Sequence, residues 1–317
     1  MNLLNYNIKD YLTESGVNRK NINITYQLFG KPLHSASIVL VNHALTGNSD
    51  VAGQKKGWWK DLVGINKLID TSRYTVLAFD IPGNGYKGNI LTNYTDFNLK
   101  DIAKLWLQAI NYLKITNIYA CIGGSIGGVM AWQLAVLAPN LINYIIPIAA
   151  DWKISDWVLA YYVAQETILE HSSRPLYDAR IMAIIFYRTP QSLKEKFKRT
   201  KNDKGEFNVD SWLRHHGEKL EERFELTAYK LMNHLLATVD ICDGKDFKNL
   251  ANNLKSKVIQ IPIDSDLFFV KDENLETHKK LNNLNIENEY HEVVSLHGHD
   301  GFLIEYKQIT NILKHII

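Results

Sequence analysis

The sequence predicts an α/β fold in which a mostly parallel sheet is interrupted by an inserted helical cap. Three observations predict it. Short apolar runs rich in β-branched residues alternate with helical patterns through the first half, as in a parallel sheet covered on both faces. From about Trp152 to Lys245 the strand signals stop and amphipathic helical patterns take over. Strand signals then return, so the helical block is inserted, not appended.

Ser37-Ile38-Val39-Leu40-Val41-Asn42 reads as a buried strand ending in a polar loop, and Tyr74-Thr75-Val76-Leu77-Ala78-Phe79 as a second, closed by Pro82 and Gly83. Residues 99–113 have helical periodicity. Ile118-Tyr119-Ala120-Cys121-Ile122 is a third strand, running through Gly123-Gly124-Ser125 into a helix over 126–137; residues 144–149 make a fourth. Within the block, 154–170, 179–187 and 220–239 are the clearest helices. Strands follow over 258–262 and 289–294, and a last helix over 302–316. The expected division is a core of residues 1–151 and 246–317 with a cap of residues 152–245. Such a cap lies over the carboxyl ends of the strands, where open α/β sheets bind ligands.

Composition narrows the partners. The chain has 317 residues, 46% hydrophobic, enough for a large core. Lys and Arg number 36 against 34 Asp and Glu, so the net charge of +2 gives no reason to expect nucleic acid or an anionic membrane as partner. Two cysteines, Cys121 and Cys242, exclude a disulfide scaffold or a multi-cysteine zinc site and fit buried thiols in a reducing compartment. The first twenty residues contain Asp10 and Glu14 and lack the apolar core of a secretory signal. No stretch approaches the ~18 uninterrupted apolar residues of a membrane span. A soluble cytoplasmic protein is expected.

Gly123-Gly124-Ser125-Ile126-Gly127 matches G-x-S-x-G between a buried strand and a helix. Small residues let the chain turn sharply and expose the serine, and the helix that follows aims its first N–H groups at a developing oxyanion. The bland alternative is a glycine-rich structural turn. A serine nucleophile needs a base and an acid, in chain order acid then histidine. Asp264-Ser265-Asp266 follows one late strand and His297-Gly298-His299-Asp300 follows the next. The residues alone choose neither between Asp264 and Asp266 nor between His297 and His299. Metal binding by the histidine pair lacks a third ligand at suitable spacing. Asn42-His43-Ala44-Leu45-Thr46-Gly47 occupies the place of the other oxyanion loop; His43 there reads as a histidine that orders the turn, in preference to a catalytic one.

These segments together resemble the homoserine O-acetyltransferase family of the α/β-hydrolase superfamily, acyl-CoA-dependent enzymes of methionine biosynthesis. His43-Ala44-Leu45-Thr46-Gly47 resembles its H-A-L-T-G, Gly57-Trp58-Trp59 its G-W-W, and Asp70-Thr71-Ser72-Arg73-Tyr74 its D-T-x-R-Y. Ile122 to Gly128 resembles I-G-G-S-M-G-G. Ala179-Arg180-Ile181-Met182-Ala183 with Tyr187-Arg188, Gly217-Glu218-Lys219 with Arg223-Phe224, Asp264 to Phe268 and Gly298 to Leu303 resemble further blocks in the right order. The chain departs from the family at Asp80-Ile81-Pro82-Gly83-Asn84-Gly85-Tyr86, where a longer glycine-rich segment is usual, and between Glu166 and Arg180, which is short.

The resemblance implies an α/β-hydrolase fold and a triad of Ser125, Asp266 and His299, with oxyanion donors at the N–H groups of Leu45 and Ile126. It implies that Arg180, Tyr187 and Asp300 hold the acceptor, the guanidinium suiting a carboxylate and Asp300 an ammonium. Read alone, Arg180 would be a salt bridge within the cap and Asp300 the N-cap of the last helix. The implied substrates are acetyl-CoA as acyl donor and L-homoserine, with no permanently bound cofactor, no metal, and a homodimer through the cap. The alternatives are an esterase or thioesterase using water, an acyltransferase of another acyl donor or of serine, and a non-catalytic binding protein of the same fold.

Overall fold

The computed structural model describes residues 2–53 and 57–317. Among the described residues ten strands and ten α-helices follow in the order β1 (Leu4–Leu12), β2 (Asn18–Gly30), β3 (Ile38–Asn42), β4 (Val63–Gly64), β5 (Ile69–Asp70), β6 (Thr75–Phe79), α1 (Leu99–Tyr112), β7 (Ile118–Gly124), α2 (Ile126–Leu137), β8 (Ile142–Ile148), α3 (Asp156–His171), α4 (Pro175–Tyr187), α5 (Pro190–Phe197), α6 (Asn208–Arg223), α7 (Leu226–Ala237), α8 (Phe247–Asn253), β9 (Lys257–Gln260), α9 (Lys271–Asn283), β10 (Asn288–Tyr290) and α10 (Tyr306–Leu313). Eight strands form one sheet in the order β1-β2-β6-β3-β7-β8-β9-β10. The N-terminal hairpin is antiparallel, β2 pairs antiparallel with β6, and the remaining pairs are parallel.

Every residue of β3 and β6 is buried. Leu40 and Leu77 face α1 and α2, with Trp106 and Val129 in the same core. Val39, Val41 and Val76 face the opposite core with Trp59, Ile309 and Leu313. Burial on both faces explains why these strands read as unbroken apolar runs. The chain leaves β3 for β6 on one side and then crosses to β7 on the other. The ends of β3 and β7 therefore meet at the topological switch point, with Asn42 paired to Gly123.

The expected strands and helices of the first half fall where predicted, β8 starting two residues early. The N-terminal hairpin had no prediction. Asp101 anchors it: its side chain completes a capping box with Asn98 at the start of α1 and accepts from the Tyr11 hydroxyl (2.8 Å) and the Glu14 N–H (2.8 Å). Three expectations need correction. The helix over 220–239 is two helices, broken at Phe224–Glu225, where extended backbone ends α6. The strand over 289–294 is shorter, ending at Tyr290, with one further bridge between Ile263 and Val293. The last helix starts at Tyr306, because residues 298–303 form a 3₁₀ turn.

The five helices α3–α7 run between β8 and β9. The chain entering this insertion pairs with the chain leaving it, through a bridge between Lys153 and Asp240 and bonds from Ile241 N to Trp152 O (3.1 Å) and Ile154 N to Val239 O (3.3 Å). Asp151 stands at this neck, 4% exposed, accepting from the Trp152 N–H and the Thr277 hydroxyl. Burial raises its pKa to about 7. A carboxyl whose folded-state pKa exceeds its unfolded value stabilises fully below the unfolded value and ceases to do so as pH rises through the folded one, here between about pH 4 and 7. Wild type is expected to lose up to roughly 4 kcal/mol over that window through this group. Asp151→Asn should flatten the fall, and denaturant melts at pH 5 and pH 8 check it. Coincident pH dependence in the two proteins would show that Asp151 is ionised in the folded state.

Candidate active site

Ser125 closes β7 and precedes α2, with φ 57° and ψ −133°. Such a backbone in a non-glycine residue costs on the order of 1–3 kcal/mol and persists only where the surroundings fix it. Two contacts show how. A Cβ on Gly124 would come within 2.3 Å of the Phe302 ring, and one on Gly127 within 2.5 Å of the Asn42 carbonyl oxygen. The corner is compressed between β3 and the C-terminal 3₁₀ turn, and only glycine fits on either side. Helix α2 is apolar around nearly its whole circumference and buried, so it sits rigidly behind the serine.

The loop after β3 is built to hold still. Asn42, fully buried, donates to Gly127 O (2.9 Å) and to Cys121 Sγ (3.3 Å), tying the end of β3 to the first turn of α2. His43 is buried; one ring nitrogen lies 2.8 Å from Ala44 O and the other accepts from the Ile81 N–H at 3.0 Å. That places the proton on Nδ1, and burial pushes the pKa down against the pull of Asp80. His43 is thus a neutral brace between two loops. Asp80 accepts from Ser49 N (2.7 Å), Ser49 Oγ and Thr25 Oγ1, anchoring the far end of the loop. Leu45 is buried within it. Among the described residues neither the Leu45 N–H nor the Ile126 N–H has a backbone partner, and both loops lie at the switch point.

The structure brings Asp266 and His299 together. His299 Nδ1 lies 2.7 Å from Asp266 Oδ2, with both side chains buried. The other carboxylate oxygen accepts from the N–H groups of Phe268 (2.7 Å) and Phe269 (3.1 Å), which fixes the carboxylate plane. Phe268, Phe269, Phe302 and Tyr187 ring the imidazole with centroids 5.0–5.9 Å away. Asp264 instead accepts from the Ser295 N–H at 2.8 Å, and Ser265 Oγ accepts from the Gly298 N–H at 3.1 Å. These two staple the acid loop to the histidine loop. His297 Nδ1 contacts Ser192 Oγ at 3.0 Å and Arg188 Nη1 at 3.2 Å. The two histidines therefore serve different neighbours. No hydrogen bond joins the Ser125 hydroxyl to His299 among the described residues, as is common before substrate tightens such a site.

Helix α4 supplies the insertion's side of the site. Tyr187 is 5.4 Å from the His299 ring centroid and its hydroxyl contacts that of Tyr161 at 3.0 Å; burial raises its pKa. Arg180, two turns back on the same face of α4, is partly buried and lies near Tyr187, Tyr229 and Arg223. No carboxylate lies within 4 Å of it among the described residues, so it is not an internal salt bridge of the insertion. Asp300 lies 2.8 Å from Arg188 Nε, in an ion pair whose N–H is not aimed at the oxygen. It does not cap the last helix, whose N-cap is Glu305. Asn42 and Arg188 are site-building residues that sequence reading passed over. Arg188 had one signal, its place in the Tyr187-Arg188 pair.

The family model for the alpha/beta hydrolase fold matches residues 37–306. The chain belongs to the α/β hydrolase fold family. It is 29% identical over 348 residues to a homoserine O-acetyltransferase of Methanococcus vannielii, covering 97% of this chain and 71% of that protein. The crystal structure of a homoserine O-acetyltransferase from Staphylococcus aureus superposes with a TM-score of 0.85 at 26% identity, over 99% of this chain and 94% of that one. The structure of esterase E22 superposes with a TM-score of 0.88 over 99% of both chains, at 16% identity, and speaks for the fold only. This α/β hydrolase is an enzyme, homoserine O-acetyltransferase-like in sequence and in architecture. Among the described residues no helix is long and apolar enough to cross a membrane.

Proposed function

We propose that this enzyme transfers an acetyl group from acetyl-CoA to the γ-hydroxyl of L-homoserine through an acyl-Ser125 intermediate. The observation that carries the choice of acceptor is Arg180. It is a partly buried guanidinium with no carboxylate within 4 Å among the described residues, set beside Tyr187, whose ring touches the His299 surroundings. A site for a substrate carboxylate next to the base suits an amino-acid acceptor and serves no purpose when the acceptor is water. Similarity to homoserine O-acetyltransferases over nearly the whole chain supports the same reading.

In this mechanism Asp266 holds Nδ1 of His299, leaving Nε2 to take the proton of Ser125. The serine oxygen attacks the thioester carbonyl, and the N–H groups of Leu45 and Ile126 hold the oxyanion. The C–S bond breaks, His299 returns its proton to the sulfur, and coenzyme A leaves. The homoserine hydroxyl then gives its proton to His299 and attacks the acyl carbonyl. The ester bond to Ser125 breaks, and the serine oxygen recovers the proton. The insertion of α3–α7 acts as the cap, and its aromatic residues Tyr161 and Tyr187, with Phe268, keep water from the acyl-enzyme. The Arg188–Asp300 pair gives Asp300 a shared role: it receives the acceptor ammonium while Arg188 holds its carboxylate in place.

Arg180→Ala should cut kcat/KM for homoserine by roughly 30- to 1000-fold, the loss of a charge-assisted contact of about 2–4 kcal/mol. Acylation by acetyl-CoA alone should stay near wild type, and Arg180→Lys should rescue poorly because an ammonium lacks the planar fork. Stopped-flow acylation beside steady-state transfer separates the two steps. Equal loss in both would make Arg180 a structural residue. Release of acetate in water as fast as transfer to saturating homoserine would make the enzyme an esterase.

A further inference from the structure

Helix α6 carries two cations, Lys219 and Arg223, on one face with Trp212 and the neutral imidazole of His216. At 100° per residue, Trp212, His216, Lys219 and Arg223 fall within about 60° of one another. Asp210, Glu218 and Glu221 fall on the other half of the helix, where Arg214 and Arg174 pair with Asp210 and Glu221, and Glu222 flanks the row beside Lys219 without coming within 4 Å of its ammonium. The row runs beside the buried Leu220, along the seam where α6 meets the rest of the insertion. Its inner end is tied to the loop after β3, since Arg223 Nη1 donates to Thr46 O at 3.2 Å, next to Leu45. At its outer end Lys196 of α5 sits over the Trp212 ring at 5.1 Å, and the His216 ring meets Trp212 at 4.4 Å.

Among the described residues no carboxylate lies within 4 Å of Lys196, Lys219 or Arg223. The crowding is visible in the titrations. Burial, then Arg180 and the neighbouring cations, push His216 down to about 4; desolvation and then Arg180 lower Arg223. The preceding segment, residues 194–204, adds Lys194, Lys198, Arg199, Lys201 and Lys204 against only Glu195 and Asp203. Like charges gathered without countercharge destabilise a fold and focus an attractive field on an anion.

Length suggests which anion. From Arg223 to Trp212 the helix spans about 16 Å. A thioester with its carbonyl at Leu45 and Ile126 extends its thiol-side arm, some thirteen bonds, by roughly 15 Å before the first phosphate. We propose that Lys196 and Lys219 bind the phosphates of a coenzyme A thioester, with the His216 and Trp212 rings between them and Arg223 marking the point where its arm enters the site. This rests on the thioester-donor reading above.

The test compares acetyl-CoA with S-acetyl-N-acetylcysteamine, which carries the thioester and no phosphate, in wild type and in a Lys196→Ala/Lys219→Ala protein. The KM for acetyl-CoA should rise about 10- to 100-fold, as expected for lost charge-assisted contacts, and the KM for the truncated thioester should not move. Calorimetric binding of coenzyme A should weaken by a similar factor, 3′-dephospho-coenzyme A should bind wild type less tightly, and added salt should narrow the difference between wild type and variant. A Lys196→Arg/Lys219→Arg protein should bind as wild type does. Unchanged coenzyme A binding in the alanine protein, or an equal loss with both thioesters, overturns the proposal. If wild type is acylated by neither thioester, the donor reading fails; coenzyme A binding that still depends on these lysines would then leave the phosphate site standing.

Discussion

His299→Ala should lower kcat by roughly 10⁴- to 10⁶-fold, the scale on which serine enzymes lose rate when the base is removed. His297→Ala should keep most of the activity. The geometry argues both halves. His299 is the histidine whose Nδ1 meets a buried carboxylate at 2.7 Å, and aromatic rings on several sides leave its imidazole little freedom to turn. His297 contacts Ser192 and Arg188 and braces the turn that carries His299. Its loss should lower thermal stability before it lowers rate. The companion measurement is intact-mass analysis after incubation with acetyl-CoA alone: wild type should gain one acetyl group on the peptide containing Ser125, and Ser125→Ala none. An active Ser125→Ala protein, or full activity without His299, would require a different nucleophile and base.

Asp266→Asn should reduce kcat by about 10⁴-fold, because an amide in that position favours the wrong imidazole tautomer while leaving the fold intact. Oδ1 of Asp266 already accepts two N–H groups, from Phe268 and Phe269, so the side chain is held with Oδ2 toward His299. An asparagine keeping those two bonds must present its NH₂ group to Nδ1, which then cannot carry the proton. Asp264→Asn should cost much less activity. Its oxygen accepts the Ser295 N–H, a bond that an amide oxygen can still make. Kinetics of the two proteins with the same melting temperature checks this. The reverse order of severity would mean that Asp264 reaches the imidazole when substrate is bound.

Much of this site was legible because its determinants are local. The G-x-S-x-G corner needs small residues at fixed offsets from one strand to the next helix, and Gly124 and Gly127 meet neighbours too close for any Cβ. The central strands were legible because burial on both faces leaves no polar alternation. The N-terminal hairpin was not, since much of its first strand is exposed and its stability comes from pairing and from Asp101, some ninety residues away. The break between α6 and α7 escaped for a related reason: Phe224 and Glu225 carry no proline or glycine, and the chain extends there because the two helices pack in different places.

The sequence by itself determined the sheet, the inserted helical block, the serine corner, and that an acid and a histidine would follow late strands in that order. The residues taken alone left each pair open; the family resemblance implied Asp266 and His299, and the tertiary structure brings these two side chains together. Asp266 and His299 are 33 residues apart, and the register of their loops is set by the Ile263–Val293 bridge and by the Ser295 bonds to Asp264 and Ser265. It also decided that Asp300 pairs with Arg188, while Arg180 has no carboxylate within 4 Å among the described residues. Periodicity and short motifs record what a residue must do for its own turn of chain. Contacts between loops of distant elements depend on how those elements pack, and no local pattern encodes that.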